Sequence, residues 1–164
     1  RGVDIVHDAW SENWHYVPFT RAEVAMLGQF VKMLLDAKAV QIASWKGEPA
    51  AFCLAIANIN EWFQGLDGKV LPFGLFKLLP RIISGRSRSV RVPLMGVKKK
   101  FQDGAIGAGL ALATIRATSD HVMSKGVTHG EFSWILEDNL RVRHMLESMG
   151  AHVYKTYRVY EKIL

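Results

Sequence analysis

The residues Val97-Lys-Lys-Lys-Phe-Gln-Asp-Gly-Ala-Ile-Gly107 decide how this chain is interpreted. An apolar segment ends at Val97, a lysine-rich loop follows, and two glycines precede the helical run 108–116, Ala-Gly-Leu-Ala-Leu-Ala-Thr-Ile-Arg. A loop that leads into a helix presents unpaired backbone N–H groups, and the helix dipole favours negative charge at the same end. This order of elements predicts a seat for a phosphate or pyrophosphate group. From the loop alone, an ordinary strand-to-helix turn with a solvated lysine run is an equal alternative.

Two better-known phosphate-binding patterns do not fit this stretch. The Walker pattern requires Gly-Lys-Ser or Gly-Lys-Thr after its spacer, and neither tripeptide follows here. The dinucleotide-binding pattern requires Gly-x-Gly-x-x-Gly directly after a strand, whereas Lys98, Lys99 and Lys100 intervene here. The loop by itself therefore leaves the identity of the phosphorylated ligand open.

The composition indicates a compact folded chain with an excess of positive charge. Apolar residues make up 49% of the 164 residues, which is enough for a real core. The 21 Lys and Arg residues against 15 Asp and Glu give a net charge of +6, which suits an anionic ligand, an acidic surface or nucleic acid. We expect no nucleic-acid partner, because the cations do not form a stripe interleaved with aromatic residues.

The single cysteine, Cys53, lies in an apolar run and is expected to pack as a small hydrophobic residue. It permits no intramolecular disulfide, and the sequence therefore predicts a reducing, cytoplasmic location. We expect no metal site. The chain begins with Arg1, and we expect residues 1–164 to form a single domain that is the C-terminal part of a longer chain.

Apolar periodicity, glycines and caps predict alternating helices and strands. Thr20 and Glu23 have the spacing of a capping box. Residues 4–14 show no clear period, so a short helix and an arm are both open. The predicted elements are a helix at 20–37, strands at 39–45 and 50–59, a helix at 72–83, a strand at 90–97, a helix at 106–125, a strand at 128–136, a helix at 138–149 capped by Asp138, and β structure at 152–163.

This order, together with the glycine loop, resembles the GNAT superfamily of N-acyltransferases. The cofactor segment of that family reads roughly Val-x-Pro-x-Tyr-Arg-x-x-Gly-x-Gly. Five residues of this chain fall into register with it: Val97, Phe101, Gln102, Ile106 and Gly107. Gln102 takes the Arg or Gln position and Gly107 takes the final glycine.

A second stretch carries the same resemblance. Phe132-Ser-Trp-Ile-Leu-Glu-Asp-Asn139 and Met149-Gly-Ala151 are similar to the family segment in which a strand and an Asn precede a helix that ends in Leu-Gly-Phe. The resemblance covers residues 20–163. Within the superfamily it is strongest for a little-characterised bacterial branch with a similar Ser-Trp-Ile-Leu-Glu-Asp-Asn run.

Three departures from the family pattern bear on function. The first motif glycine is Ala105, whose Cβ would hold the backbone farther from a pyrophosphate. Lys99 stands where the family commonly has a proline, two residues after the strand. A tyrosine that acts as general acid in many members falls in the register of Leu146, and leucine has no proton to give.

The resemblance implies an α/β fold with a mixed, largely antiparallel twisted sheet flanked by helices. It implies acyl transfer from acetyl-CoA or a longer acyl-CoA to an amine, whose bearer could be a small molecule, a lipid or a protein. The pantetheine arm would lie between the splayed strands 90–97 and 128–136. The implied cofactor-binding residues are Met95, Val97, Gln102, Asp103, Gly104, Ala105, Ile106, Gly107, Ala108 and Asn139.

An amine nucleophile must lose a proton, so a general base is useful. Glu131 is our first candidate because strand alternation turns it away from Phe132 on the strand that flanks the cleft. The alternative is a glutamate held in an ion pair at the rim. His144 is a weaker candidate. Tyr157, in the closing tyrosine-rich segment, is our candidate for the missing acid, and packing on the sheet is the alternative.

Leu71–Ile83 is heavily apolar, with cations close by. Such a segment could contact a membrane surface, cover an acyl chain, form a homodimer contact or simply pack on the sheet. The second function that the sequence allows is a catalytically weak or inactive CoA-binding, regulatory module.

Overall fold

The structure, a computed structural model, describes residues 2–13, 16–34 and 36–162, with only the backbone of residues 27 and 30–34. The chain divides into two compact units, Arg1–Ser133 and Trp134–Leu164. Counted over the described residues, the first unit holds the sheet and four α-helices, and the second holds one α-helix. The prediction that residues 1–164 form one domain stays a prediction. Among the described residues, no helix combines the length and the apolar composition needed to cross a lipid bilayer.

The first unit has the predicted order of elements. Its helices are α1 (Gly2–Trp10), α2 (Arg21–Leu34), α3 (Gly74–Ser84) and α4 (Gly104–Ser124), and its strands are β1 (Val40–Trp45), β2 (Glu48–Ala57), β3 (Ser89–Val97) and β4 (His129–Phe132). The N-terminal stretch is a helix as far as Trp10, whereas Trp14 lies outside the described residues. The capping box is confirmed, since the Thr20 N–H donates to Glu23 Oε2 at 2.7 Å and the Glu23 N–H donates to Thr20 Oγ1 at 3.2 Å.

The four strands form one sheet in the order β1-β2-β3-β4. The β1–β2 and β2–β3 pairs are antiparallel, and the β3–β4 pair is parallel. The parallel pair requires a crossover, which α4 supplies. The predicted fold class, a mixed and largely antiparallel sheet flanked by helices, is confirmed.

A β-bulge in β3 changes which way its residues face. Leu54 of β2 lies opposite Leu94 and Ile56 lies opposite Arg91, so one β2 residue faces both Val92 and Pro93. Val92 packs with α4 on one face of the sheet, whereas Leu94 packs with α1 on the other. The extra residue thus reverses the alternation along the second half of β3.

The pairing of β3 with β4 ends at the same place. The register runs from Ser89↔His129 to Val92↔Phe132, and one further bond joins the Ser133 N–H to the Val92 carbonyl at 3.3 Å. Pro93 has no N–H to continue the ladder. Within the described residues, Pro93–Val97 is therefore paired with β2 on one side and with no strand on the other. This half of β3 is called the open edge below.

The core lies on both faces of the sheet. Cys53 and Ala55 of β2 pack with Val122 of α4 on one face. Phe52 and Leu54 pack with Ile5 and Val6 of α1 on the other. Cys53 is fully buried, and this burial raises the pKa of its thiol, as the packing prediction implies.

The structure corrects three details of the second half of the chain. Strand β4 ends at Phe132, four residues before the predicted end. Residues 151–162 contain no strand, so the predicted terminal β structure is wrong there, and Ile163 lies outside the described residues. Helix α5 (Leu140–Ser148) is capped by Asn139, whose Oδ1 accepts from the Val142 N–H at 3.3 Å, and not by Asp138. Asn139 supplies the side-chain oxygen that an N-cap needs.

Glu61 fixes the start of β3. Its carboxylate accepts from the backbone N–H groups of Arg88 at 2.8 Å and Ser89 at 3.0 Å, and from the Ser89 hydroxyl. Burial raises the pKa of Glu61, but the hydrogen bonds from Ser89, Arg88 and Ser87 outweigh that effect and leave the pKa below its ordinary value of 4.5. The charged form therefore stabilises the fold.

The substitution Glu61→Gln is expected to lower the free energy of unfolding at neutral pH by about 1–3 kcal/mol, because two backbone donors lose a charged acceptor. A carboxyl group whose pKa is lower in the folded than in the unfolded state stabilises the fold at pH values above its ordinary pKa. This stabilisation is lost as the pH falls through the folded-state pKa. The variant should therefore lose less stability than the wild type below about pH 4.5. Urea denaturation at several pH values measures both effects, with the exposed Glu147→Gln as control. Equal pH profiles for the wild type and Glu61→Gln would contradict the assignment.

Candidate active site

The open edge of β3 presents backbone groups to its unpaired side. The Lys98 N–H donates to the Ala50 carbonyl at 2.8 Å, and the antiparallel alternation from this pair turns the N–H and C=O of Met95 and Val97 away from β2. Both carbonyls are bonded, because the indole Nε1 of Trp10 donates to Met95 O at 2.9 Å and Gln102 Nε2 donates to Val97 O at 2.8 Å. The edge is about 17 Å long at the usual rise of a strand.

The loop after β3 is folded tightly against the start of α4. Lys99–Phe101 form a 3₁₀ turn, and the Gln102 side chain ties the turn back to the end of β3. A Cβ on Gly107 would lie 2.2 Å from the Gln102 carbonyl oxygen and 2.6 Å from the Phe101 carbonyl oxygen. Only glycine lets the first turn of α4 approach the loop this closely.

The N-terminus of α4 is accessible. Asp103, at the cap position, adopts an extended conformation, and Gly104 has a φ of 65°. Gly104 to Ile106 are exposed, whereas Gly107 is buried. A left-handed residue followed by right-handed helical residues directs successive N–H groups to one point, which suits an anion. These backbone N–H groups are therefore available as a cradle for an anion.

The three lysines of the loop are engaged within the protein. Lys98 and Lys100 pair with the two oxygens of Glu48 at 2.9 and 2.5 Å. The Lys100 and Lys98 hydrogen bonds hold the pKa of Glu48 below its ordinary value. The ammonium group of Lys99 pairs with Glu12, and the backbone N–H of Lys99 donates to Asp8 Oδ2 at 2.6 Å. The three ammonium groups thus pair with two carboxylates, those of Glu48 and Glu12, and the anion preference of this region rests mainly on the backbone cradle.

Glu131 lies where β3 and β4 separate. It pairs with Arg91 across the parallel ladder, with Arg91 Nη2 2.8 Å from Glu131 Oε1. The Glu131 side chain is 23% exposed. Phe132 packs into the core on the α4 side, so alternation places Glu131 on the opposite face, as predicted. The ion pair that was the alternative interpretation is present.

The remaining predicted residues belong to the second unit. Asn139 caps α5, Leu146 is buried on that helix, and Tyr157 is 59% exposed in the segment after it. Glu137 pairs with Arg158 at 2.6 Å in the same unit. His144 is exposed on α5.

Trp10 is the residue at this site that the sequence did not indicate. The sequence around Trp10 lacks a clear apolar period. Neighbouring residues therefore do not predict that its indole lies at the open edge. A weak signal is Gly96 on the facing strand, where a Cβ would lie 2.8 Å from Ala9 Cβ. Among residues 2–13, 16–34 and 36–162, no cluster of three His, Cys, Asp or Glu residues could hold a metal ion.

Several solved structures share this arrangement of helices and strands. An aminoglycoside antibiotic 6'-N-acetyltransferase from Acinetobacter haemolyticus matches with a TM-score of 0.55 over 99% of this chain and 93% of its own, at 15% identity. An aminoglycoside acetyltransferase from an uncultured soil metagenomic sample, solved in complex with sisomicin, matches with a TM-score of 0.55 over 99% and 86%, at 11% identity. Both are GNAT-type acetyltransferases. The chain has the GNAT fold.

Two bacterial proteins are similar in sequence. The chain is 44% identical over 162 residues, or 99% of its length, to 42% of a Caulobacter vibrioides protein named "Bacterial ceramide synthase". It is 42% identical over 159 residues, or 97% of its length, to 41% of Protein YghO of Escherichia coli K12. The chain thus spans about two fifths of the length of the curated relatives it matches. No protein-family model matches the chain.

The GNAT fold confirms the resemblance that the loop motif carried. The strand end, turn and helix start lie where Val97 to Gly107 predict them. Ala105, the departure from the family pattern, is exposed in the first turn of α4. The positions where the backbone requires glycine are Gly104, by its φ, and Gly107, by its contact with Gln102.

The substitution Gly107→Ala is expected to lower the free energy of unfolding by about 1–3 kcal/mol, because the added methyl group must displace the backbone of the loop. Gly109→Ala on the same helix is the matched control, since a Cβ there has no neighbour within 4 Å. It should stabilise the protein by up to about 1 kcal/mol through helix propensity. Thermal and urea unfolding compare the two variants, and equal effects would contradict the close contact at Gly107.

Proposed function

We propose that this chain binds an acyl-CoA along the open edge of β3 and at the N-terminus of α4, and that it transfers the acyl group to an amine. The observation that carries the proposal is the order of features along one strand. The Arg91–Glu131 pair lies where β4 separates from β3. The outward-facing backbone groups of Met95 and Val97 come next along β3, and the cradle at the start of α4, near Gly107, comes last. The GNAT fold supports the same assignment.

The residues fit such a ligand at both of its ends. The exposed N–H groups of the first turn of α4 would hold the pyrophosphate, with Gln102 to Ala108 forming the cradle. The N–H groups of Met95 and Val97 would donate to carbonyls of the pantetheine arm, which lies flat on an unpaired strand edge as another strand would. Bound acyl-CoA supplies an activated acyl thioester. Two further roles belong to the same proposal: Asn139 would bond the pantetheine arm, and Tyr157 would donate a proton to the departing thiolate of coenzyme A.

Glu131 would accept the proton of the attacking amine. Its position at the fork brings a carboxylate to the end of the open edge, on the face opposite the α4 core. Arg91 orients that carboxylate through the ion pair at 2.8 Å. The side chain is partly buried, so it has limited freedom to turn away.

The acceptor in this proposal is the amine of a lipid. The support is the 44% identity with the Caulobacter protein named as a ceramide synthase, because a ceramide contains a long-chain amine joined to an acyl group. The acyl donor would then be longer than acetyl. A reducing, cytoplasmic location is part of the same proposal and is consistent with the single buried Cys53.

A second candidate function is CoA binding without turnover. It is favoured by Leu146, which is buried on α5 in the register of the family's acid and has no proton to donate. The two functions differ in whether any acyl product forms.

Acyl-CoA binding is tested by calorimetry on the full chain with acetyl-CoA and a long-chain acyl-CoA. Gly107→Ala should weaken binding at least about tenfold, since about 1.4 kcal/mol of lost contact suffices. Gly109→Ala should bind as the wild type does. Circular dichroism at the same temperature shows whether each variant is folded. Equal affinities in both folded variants would place the ligand elsewhere.

The substitution Glu131→Gln should lower turnover about 10²–10⁴-fold without changing acyl-CoA affinity, because Gln cannot accept a proton. Arg91→Gln is the matched control, since it removes the ion pair but keeps the carboxylate. It should lower turnover less than Glu131→Gln does, because the carboxylate is kept but is no longer oriented by the ion pair. An equal loss in both variants would show that Glu131 acts through the ion pair, and wild-type binding with no product from any amine would favour the binding module.

A further inference from the structure

Helix α3 and the loop before it expose an apolar face with no partner among the described residues. Leu71, Phe73, Phe76 and Ile83 are 75%, 76%, 75% and 82% exposed. Phe73, Phe76 and Ile83 follow the spacing of one side of a helix, and Leu79, which is also exposed, extends this side. Such a cluster is larger than the scattered apolar residues of an ordinary surface. These five residues are called the α3 face.

The orientation of α3 is fixed by its other side. Leu78 is buried with Trp62 and Leu66. Arg81 Nη1 donates to the carbonyls of Trp62 at 2.7 Å and Gln64 at 2.8 Å. The helix therefore has a buried side of its own, so the α3 face is not the side by which the helix packs on this unit.

The charge in the sequence around the α3 face is mostly positive. Between residues 62 and 90 the sequence contains five cationic residues and one acidic residue, Asp67. Four of the cations are exposed: Lys69, Lys77, Arg86 and Arg88. A second copy of this chain would bring the same cations against these, and like charges would oppose the contact. An anionic surface with an apolar layer beneath it complements both features.

We infer that the α3 face docks this protein on an anionic lipid bilayer. The aromatic and aliphatic side chains enter the boundary between headgroups and acyl chains, and the flanking cations contact the lipid phosphates. The 11 residues of α3 span only about 16 Å, so the helix lies in the plane of the interface. This inference goes beyond the proposed acyl transfer and does not rest on it.

The test is sedimentation of the full chain with vesicles, in the absence of acyl-CoA. One set of vesicles contains phosphatidylglycerol and phosphatidylcholine in equal parts, and the other contains phosphatidylcholine alone. The wild type should bind the first set, and binding should weaken as salt is added. Replacing Phe73 and Phe76 together by Ser should weaken binding at least tenfold, which corresponds to about 1.4 kcal/mol. Lys69→Glu with Lys77→Glu should remove the preference for phosphatidylglycerol.

The matched control is Met123→Ser, which removes a 64% exposed apolar side chain from α4. It should leave vesicle binding unchanged, and circular dichroism shows that each variant is folded. The inference is overturned if the wild type shows no preference for anionic vesicles, or if the Phe73 and Phe76 variant binds as the wild type does. It is also overturned if that variant instead converts a dimer to a monomer, or loses only its affinity for long-chain acyl-CoA. None of these results depends on whether the protein has acyltransferase activity.

Discussion

The site depends on one interruption in the pairing of β3. The bulge at Val92 and Pro93 reverses the facing of the strand and coincides with the last pair that β3 makes with β4. Before the bulge, β3 is an internal strand with partners on both sides, and after it the strand has a single partner within the part of the chain that the structure describes. The same backbone thus provides a rigid core strand at one end and an accessible edge at the other. The loop that begins α4 follows directly from that edge.

The local parts of this arrangement could be predicted from the sequence. The helix limits, the hairpin of β1 and β2, the capping box at Thr20 and the need for glycine at Gly107 each rest on neighbouring residues. Pro93 was a visible signal that β3 loses a ladder donor, but its effect on the register depends on β2 and β4. After a bulge, the neighbouring strands determine which side of the sheet each residue faces. The alternation of apolar residues alone therefore does not predict it.

The electrostatics of the loop depended on contacts that are distant in the sequence. The lysine run places three positive charges in the loop, whereas Glu48 and Glu12 offset two of them from positions 52 and 87 residues away from their partners Lys100 and Lys99. Asn139 is the opposite case, because its capping role is local and competes with the role that the family resemblance implied. The prediction of terminal β structure rests on the local residue pattern, yet a strand needs a pairing partner that a local pattern cannot supply.

An unpaired strand edge also has a cost for the free protein. Exposed N–H and C=O groups in a row can pair with a strand of another molecule and lead to aggregation. The Trp10 indole and the Gln102 amide each occupy one carbonyl of this row, at Met95 and Val97. A foreign strand would have to displace both side chains to form its ladder. The two bonds therefore protect the edge from self-association, while the N–H groups of Met95 and Val97 face outward toward the acceptor groups of a ligand.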